Sequence, residues 1–288
     1  MSPDSILPLL AGEAVEGGWA CCWRAARGTG GARGGSPRSA LQAASRARGR
    51  RLATRLLALA CLLVAGLAVH AEQATTVSPA TTATEADLVD IRTLVPDIAE
   101  DIKYAGSDNF VGRPVDGYRA PKCLLKRPVA GALARVEHEL REQHLRLRLW
   151  DCYRPARAVA DFVRWAHDLS DQRTKAAHYP RLDKRVLLGD YIAPVSGHSR
   201  GGTADLTLEQ CDARGRHCAP LDMGTHFDFF DVRAHTDAPD VTPAQHANRL
   251  RLRTAMEREG FSNYPLEWWH YTLAPEPTPH TIYDVPVQ

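Results

Sequence analysis

Ser196, His198 and Asp205 fall within a ten-residue stretch, and Glu267 and His270 stand three residues apart near the C-terminus. Two imidazoles and a carboxylate make a three-ligand set suited to zinc, with a fourth position left for water. A glutamate just before the last histidine is a candidate base for deprotonating that water. The bland alternative is structural. The chain has 12 histidines, and His138, His144, His167, His217 and His280 sit among polar neighbours with no special role required. His198 and His270 differ in context. His198 follows Ser196 and precedes a Gly-Gly bend, where backbone can turn closely. Asp205 lies in the apolar stretch Ala204–Leu208, where an unpaired carboxylate is costly and a cation would remove the cost. His270 is flanked by Trp269 and Tyr271. From residue types alone, a hydrolytic zinc site and a merely structural arrangement both stand.

The elements that must position these groups can be read from periodicity. Leu88–Ile91 and Ile98–Tyr104 carry alternating apolar residues suited to strands, and Leu145–Trp150 alternates strictly, as a half-buried strand does. Residues 109–118, rich in Gly and Pro, read as a loop. Lys122–His144 holds Val129, Leu133, Val136 and Leu140 at helical spacing. Pro155 suits the first turn of a helix over Ala156–His167. Arg154 therefore sits at a strand-to-helix junction, and on position alone it is either a cleft residue or a surface ion-pair partner. Asp168–Leu188 reads as polar loop, Ala204–Leu208 as strand and Thr242–Gly260 as helix. A strand over Tyr264–Leu273 is entered through Pro265. Residues three apart on a regular strand face opposite sides, so Glu267 and His270 converge only if the strand begins after Glu267 or is bulged. The elements alternate without a βαβ rhythm, which predicts an α+β class: one catalytic domain with a mainly antiparallel sheet flanked by helices.

The 288 residues divide unevenly. Net charge is only +2, from 36 basic and 34 acidic residues, so no global field points to nucleic acid. Residues 1–51 are rich in Gly, Ala, Arg and Ser and read as a non-globular extension, with too little apolar surface to order it. Arg50, Arg51 and Arg55 precede the apolar run Leu56–Val69, and small residues follow before Glu72. Residues 52–71 thus read as a secretory signal peptide. At about 14 residues the run is short for a ~30 Å hydrocarbon layer. A translation start placed too far upstream would explain a signal so far from residue 1. Cys61 raises a lipoprotein alternative, but Ala58 stands where such signals carry leucine. Residues 72–86 read as a flexible lead-in and 87–288 as the folded domain. Export predicts a cell-envelope, periplasmic location and an oxidising compartment. The mature chain then keeps Cys123, Cys152, Cys211 and Cys218, which allow three pairings. A local bridge between Cys211 and Cys218 across a Gly turn would leave Cys123 with Cys152.

Beyond these separate signals, the motifs together resemble the VanX-type D-alanyl-D-alanine dipeptidases, in the zinc peptidase family that also holds D,D-carboxypeptidases. The resemblance covers residues 87–288. It is carried by Asp101–Phe110, Pro114–Tyr118, Trp150-Asp-Cys-Tyr-Arg-Pro155, His198-Ser-Arg-Gly201, Asp205–Leu208, Met223–Thr225 with Phe227–Phe229, and Glu267-Trp-Trp-His-Tyr271. The family pattern Ser-x-His-x-x-Gly-x-Ala-x-Asp is met at Ser196, His198, Gly201 and Asp205 and departs at Thr203, where alanine is usual. Thr203 should share a strand face with Asp205, so its hydroxyl is expected near that carboxylate. The resemblance implies one zinc ion per chain on His198, Asp205 and His270, with Glu267 as base and Arg154 on the oxyanion of the tetrahedral intermediate. It places Asp228 at the substrate ammonium, with Tyr104 and Ser196 as further substrate contacts. The activity it implies is hydrolysis of D-Ala-D-Ala in wall turnover or D-alanine salvage. The partner is then a small dipeptide, with no nucleic acid and no membrane span in the mature chain; a homo-oligomer is left open. The alternatives are a D,D-carboxypeptidase on peptidoglycan peptides and a non-catalytic zinc-containing peptidoglycan-binding module. Glu267 and Arg154 argue against the latter, since a binder needs neither.

Overall fold

Strict alternation in Leu145–Asp151 makes a strand whose Leu145, Leu147 and Leu149 are all buried, and the rest of the architecture is arranged around it. The computed structural model describes residues 74–288. The expected extension over 1–51, the expected signal peptide over 52–71 and the first two residues of the expected lead-in lie outside the described residues. In chain order the strands are β1 (Thr76–Val77), β2 (Leu88–Asp90), β3 (Ala99–Glu100), β4 (Leu124–Lys126), β5 (Leu145–Asp151), β6 (Thr203–Gln210), β7 (Ala219–Pro220), β8 (Phe261–Asn263), β9 (His270–Leu273) and β10 (Thr281–Ile282). The α-helices are α1 (Arg127–Arg141), α2 (Ala156–His167), α3 (Lys175–His178) and α4 (Pro243–Arg258).

The main sheet has the order β3-β5-β6-β9-β8, with β7 added beside β6. Its pairs are antiparallel except β3–β5, and the separate β1–β10 pair is also parallel. The sheet is therefore mixed, which corrects the expected mainly antiparallel sheet. The connection from β3 to β5 runs through α1, a crossover long enough to bring the chain back in the same direction. Among the described residues no helix is long and apolar enough to cross a membrane.

Helix α1 buries Val129, Leu133, Val136 and Leu140, which is the face its spacing predicted, and packs against β5 and α4. Helix α4 opens with a capping box between Thr242 and Gln245 and stops before Gly260, whose φ of 86° suits a helix terminus. Two strands are shorter than their alternation suggested. After Glu100 the chain leaves the sheet because the buried Asn109 side-chain amide donates to the carbonyls of Lys103, Gly106 and Arg113; the resulting turn points Tyr104 inward. Residues 264–269 form hydrogen-bonded turns, Glu267 N–H to Tyr264 O and His270 N–H to Glu267 O, so the strand begins at His270. Two disulfides join Cys123 to Cys152 and Cys211 to Cys218. At the end of the chain Tyr153 accepts from Val285 N–H and donates to Val285 O, and Val287 is fully buried.

Candidate active site

Asp205 sits in β6, in the middle of the main sheet with neighbours on both sides, and His270 is its direct partner on β9. Residues directly opposite in an antiparallel pair share a face, so the register alone brings this carboxylate and imidazole together. Their Oδ1 and Nδ1 atoms are 3.1 Å apart. His198 arrives from a different element, a 3-10 turn over Gly197–Arg200 that is capped by the Ser196 hydroxyl accepting from His198 N–H. The turn closes at Gly201, with φ 72°, where a Cβ would meet Leu88 at 2.8 Å; only glycine fits. His198 Nε2 is then 3.2 Å from Asp205 Oδ2 and 3.3 Å from His270 Nδ1. Its Nδ1 donates to the Cys152 carbonyl at 2.7 Å, which leaves Nε2 as the free lone pair.

These three residues fit a metal ion. One ligand atom from each lies within 4.8 Å of the others, and Asp205 Oδ1 is buried without a hydrogen-bond partner among the described residues. An orphaned buried carboxylate oxygen beside two imidazole nitrogens is a donor set that a cation would satisfy.

A second carboxylate reaches the site through an irregularity. In β5 the pairs Leu147–Leu208 and Leu149–Leu206 keep one register, but the next pair is Asp151–Asp205, shifted by one residue. Without that extra residue, alternation would put Asp151 on the leucine face; the bulge turns it toward Asp205. Asp151 is fully buried, accepts from Tyr118 Oη–H at 2.5 Å and from Arg154 Nε and Nη2 at 2.9 Å. Arg154 is thereby held with Nη2 3.6 Å from Asp205 Oδ2 and its guanidinium over the Tyr104 and Phe162 rings. Burial opposes its charge, yet Asp151 and the other nearby acids hold its pKa well above the ordinary value.

Glu267 lies in the turn that precedes β9, with Oε2 3.5 Å from His270 Nδ1. Burial, with Asp205 adding to it, pushes its pKa up to about 7 against the pull of His270 and Arg154. That is the range in which a carboxylate both accepts and returns a proton near neutrality. Asp205 shows the opposite result: burial alone would raise it, but His198 and His270 outweigh burial and hold it below the usual carboxylate range. Asp228 is raised, first by burial and then by Asp205 and Glu267. Both of its oxygens are within hydrogen-bond reach of the Tyr104 hydroxyl, at 3.1 and 3.0 Å.

Tyr104, Arg154, Ser196, His198, Asp205, Asp228, Glu267 and His270 all line one cavity of about 270 Å³. Every sequence-selected site residue other than the cysteines is therefore in the same place. The Thr203 hydroxyl is not: it pairs at 2.9 Å with that of Thr272, its direct partner on β9, and not with Asp205. Cross-strand partners are nearer than residues two apart on one strand. Sequence reasoning gave no role to Asp151, whose signal was only its place in the Trp150–Pro155 motif. It also missed Tyr264, whose ring packs edge-on against His270 while its hydroxyl donates to Asp190 O in the cavity wall.

The chain is similar to proteins already known. A family model described as D-ala-D-ala dipeptidase matches residues 84–288. Curated relatives carry the name D-alanyl-D-alanine dipeptidase. The one from Streptomyces coelicolor is 44% identical over 202 residues, which is 70% of this chain and 98% of the relative. The one from Enterococcus faecium is 40% identical over 196 residues, 68% of this chain and 95% of the relative. The Escherichia coli K12 protein is 35% identical over 187 residues, 65% and 84% respectively.

Proposed function

This chain belongs to the D-ala-D-ala dipeptidase family of peptidases and is an enzyme of that class, and on that premise we propose that it hydrolyses D-Ala-D-Ala to two D-alanines at a zinc site. The observation that carries the proposal is the closure of one small cavity by a two-His, one-Asp donor set, a carboxylate of raised pKa and a buried arginine. Zinc held by His198, Asp205 and His270 supplies, when bound, acidification of a water molecule and polarisation of the scissile carbonyl. Glu267 takes the proton from the attacking water and returns it to the amine that leaves. Arg154, locked by Asp151, offers its guanidinium to the oxygen on which negative charge develops, in a site where burial strengthens the interaction. Asp228 pairs with the free ammonium of the substrate, with Tyr104 and Ser196 beside it. A buried carboxylate at the amine end favours a charged terminus and disfavours an acylated one, which ranks a dipeptidase above a D,D-carboxypeptidase and above a non-catalytic wall-binding module.

The proposed setting is the cell envelope after export, periplasmic and concerned with wall turnover or D-alanine salvage. The basic-then-apolar pattern before Glu72 supports it, and mass spectrometry of the mature N-terminus tests it. The activity is tested with the purified chain on D-Ala-D-Ala, L-Ala-L-Ala and N-acetyl-D-Ala-D-Ala, before and after chelation and zinc replacement. The expected result is zinc-dependent cleavage of the free D,D-dipeptide. Equal rates on the acetylated substrate would overturn the choice of dipeptidase over carboxypeptidase.

A further inference from the structure

Asp228 has a φ of 56°, in the left-handed region that is uncommon for non-glycine residues, although aspartate tolerates it better than most. The short segment around α3 braces it. His178, the last residue of α3, makes a hydrogen bond from Nδ1 to the Asp228 carbonyl at 2.9 Å. Two residues on, Phe230 N–H donates back to the His178 carbonyl at 2.7 Å. The carbonyl of the preceding residue, Ala177, is 2.9 Å from His226 Nε2, and the His178 and His226 rings meet edge to face at 5.2 Å. The strained residue is thus clasped on both sides by two consecutive residues of a four-residue helix. That helix is itself fixed to the cavity, since the Thr174 hydroxyl at its start donates to Phe110 O, and Phe110 lines the cavity.

A carbonyl only accepts, so Nδ1 of His178 must carry the proton. This ring nitrogen is the only side-chain donor that meets the Asp228 backbone among the described residues. We propose that His178 is a positioning residue: it fixes the left-handed backbone of Asp228 and so aims the carboxylate at the substrate's ammonium. The inference rests on the reading of Asp228 as the amine-binding group. Without the clasp, residue 228 relaxes toward ordinary negative φ, which redirects its Cβ and withdraws the carboxylate from the cavity. His178 itself does not line the cavity and acts only through Asp228.

The test is steady-state kinetics on zinc-loaded His178→Ala, His178→Asn, Asp228→Asn and the double variant His178→Ala/Asp228→Asn, with metal content measured on each. Asparagine can place an amide N–H near the position of Nδ1. His178→Ala is expected to raise KM for D-Ala-D-Ala by about three- to tenfold, the worth of one buried hydrogen bond, with zinc content intact and kcat changed less than KM. His178→Asn should recover most of the loss. In the Asp228→Asn background, His178→Ala should add nothing further to KM, because the group it positions is gone. An equal His178→Ala effect in both backgrounds overturns the positioning role, and so does a loss in kcat at constant KM. If Asp228→Asn alone leaves KM unchanged, the amine-subsite reading fails and takes this inference with it. If Asp228→Asn raises KM and His178→Ala does not, the inference alone falls.

Discussion

Asp151 stands opposite Asp205 because β5 carries one residue more than its partner between Leu149 and Asp151. Two buried carboxylates face each other across a strand pair, an arrangement that is costly unless each has a compensating partner or one keeps its proton; burial, with Asp205 adding to it, raises the Asp151 carboxyl against the pull of Arg154 and His198. Asp151 has Arg154. Asp205 has the two imidazoles and, on the proposed assignment, a metal ion. The bulge therefore separates a carboxylate that holds the guanidinium from one that would ligate on the proposed assignment.

Asp151→Asn keeps a partner for Tyr118 but removes the charge that anchors Arg154. Activity on D-Ala-D-Ala is expected to fall by about 10- to 100-fold, the usual scale for a group that acts through its neighbour, with the larger share in kcat. Circular dichroism and metal analysis should show a folded, loaded protein. Unchanged kcat would mean that Arg154 keeps its place without Asp151.

Glu267→Ala is expected to keep its metal, because Glu267 is not in the donor set, while kcat drops by about 10²- to 10⁴-fold, the range for a lost general base. Parallel zinc determination and turnover measurements check this. Loss of metal in step with activity would instead make Glu267 a ligand.

Asp161 gives a prediction for stability against pH. It is nearly fully buried, and its oxygens accept both arms of the Arg113 fork at 2.7 and 2.9 Å, along with Asp116 N–H and Arg164. Burial works against the charge, but these donors outweigh it and lower the carboxyl pKa. A carboxylate depressed on folding stabilises the protein above its unfolded pKa, and that contribution is lost as pH falls through the folded value. Asp161→Asn should therefore cost about 2 kcal/mol at pH 7, with a gap that narrows as urea unfolding is repeated toward pH 3. A gap constant from pH 7 to pH 3 would contradict the ionic account.

The Cys123–Cys152 bridge closes a chain segment of sequence separation 29, and constraining the unfolded chain in this way is worth about 3–4 kcal/mol. Cys152 also supplies the carbonyl that fixes the His198 tautomer. Cys123→Ser/Cys152→Ser should lower Tm and weaken metal retention against a chelator. The corresponding Cys211→Ser/Cys218→Ser pair, which makes no contact with the ligands, should leave metal retention unchanged. Equal retention in both pairs would separate the Cys123–Cys152 bridge from the site.

Much of the site was legible because its groups are few and its backbone demands are specific. Glycine at position 201 and the requirement that Glu267 lie off the strand both follow from local geometry, and β9 does begin at His270. Helix α2 spans Ala156–His167 as Pro155 implied. What could not be read depends on partners far apart in sequence. The inward turn at Tyr104 is enforced by a buried asparagine amide. The Thr203 hydroxyl is drawn across the sheet to Thr272, and the bulge at β5 appears only once β6 is beside it. A four-residue helix such as α3 is below the length at which periodicity carries any signal.

The C-terminal tail has a practical meaning for anyone handling the protein. Val285 is clamped to the hydroxyl of Tyr153, the residue next to Arg154, and Val287 is fully buried and hydrogen-bonded to Gly117 and Arg119. A carrier, purification handle or surface linkage attached after Gln288 would pull on a strap whose other end is Tyr153, the neighbour of Arg154. Attachment at the exposed residues near Thr76 leaves that strap untouched.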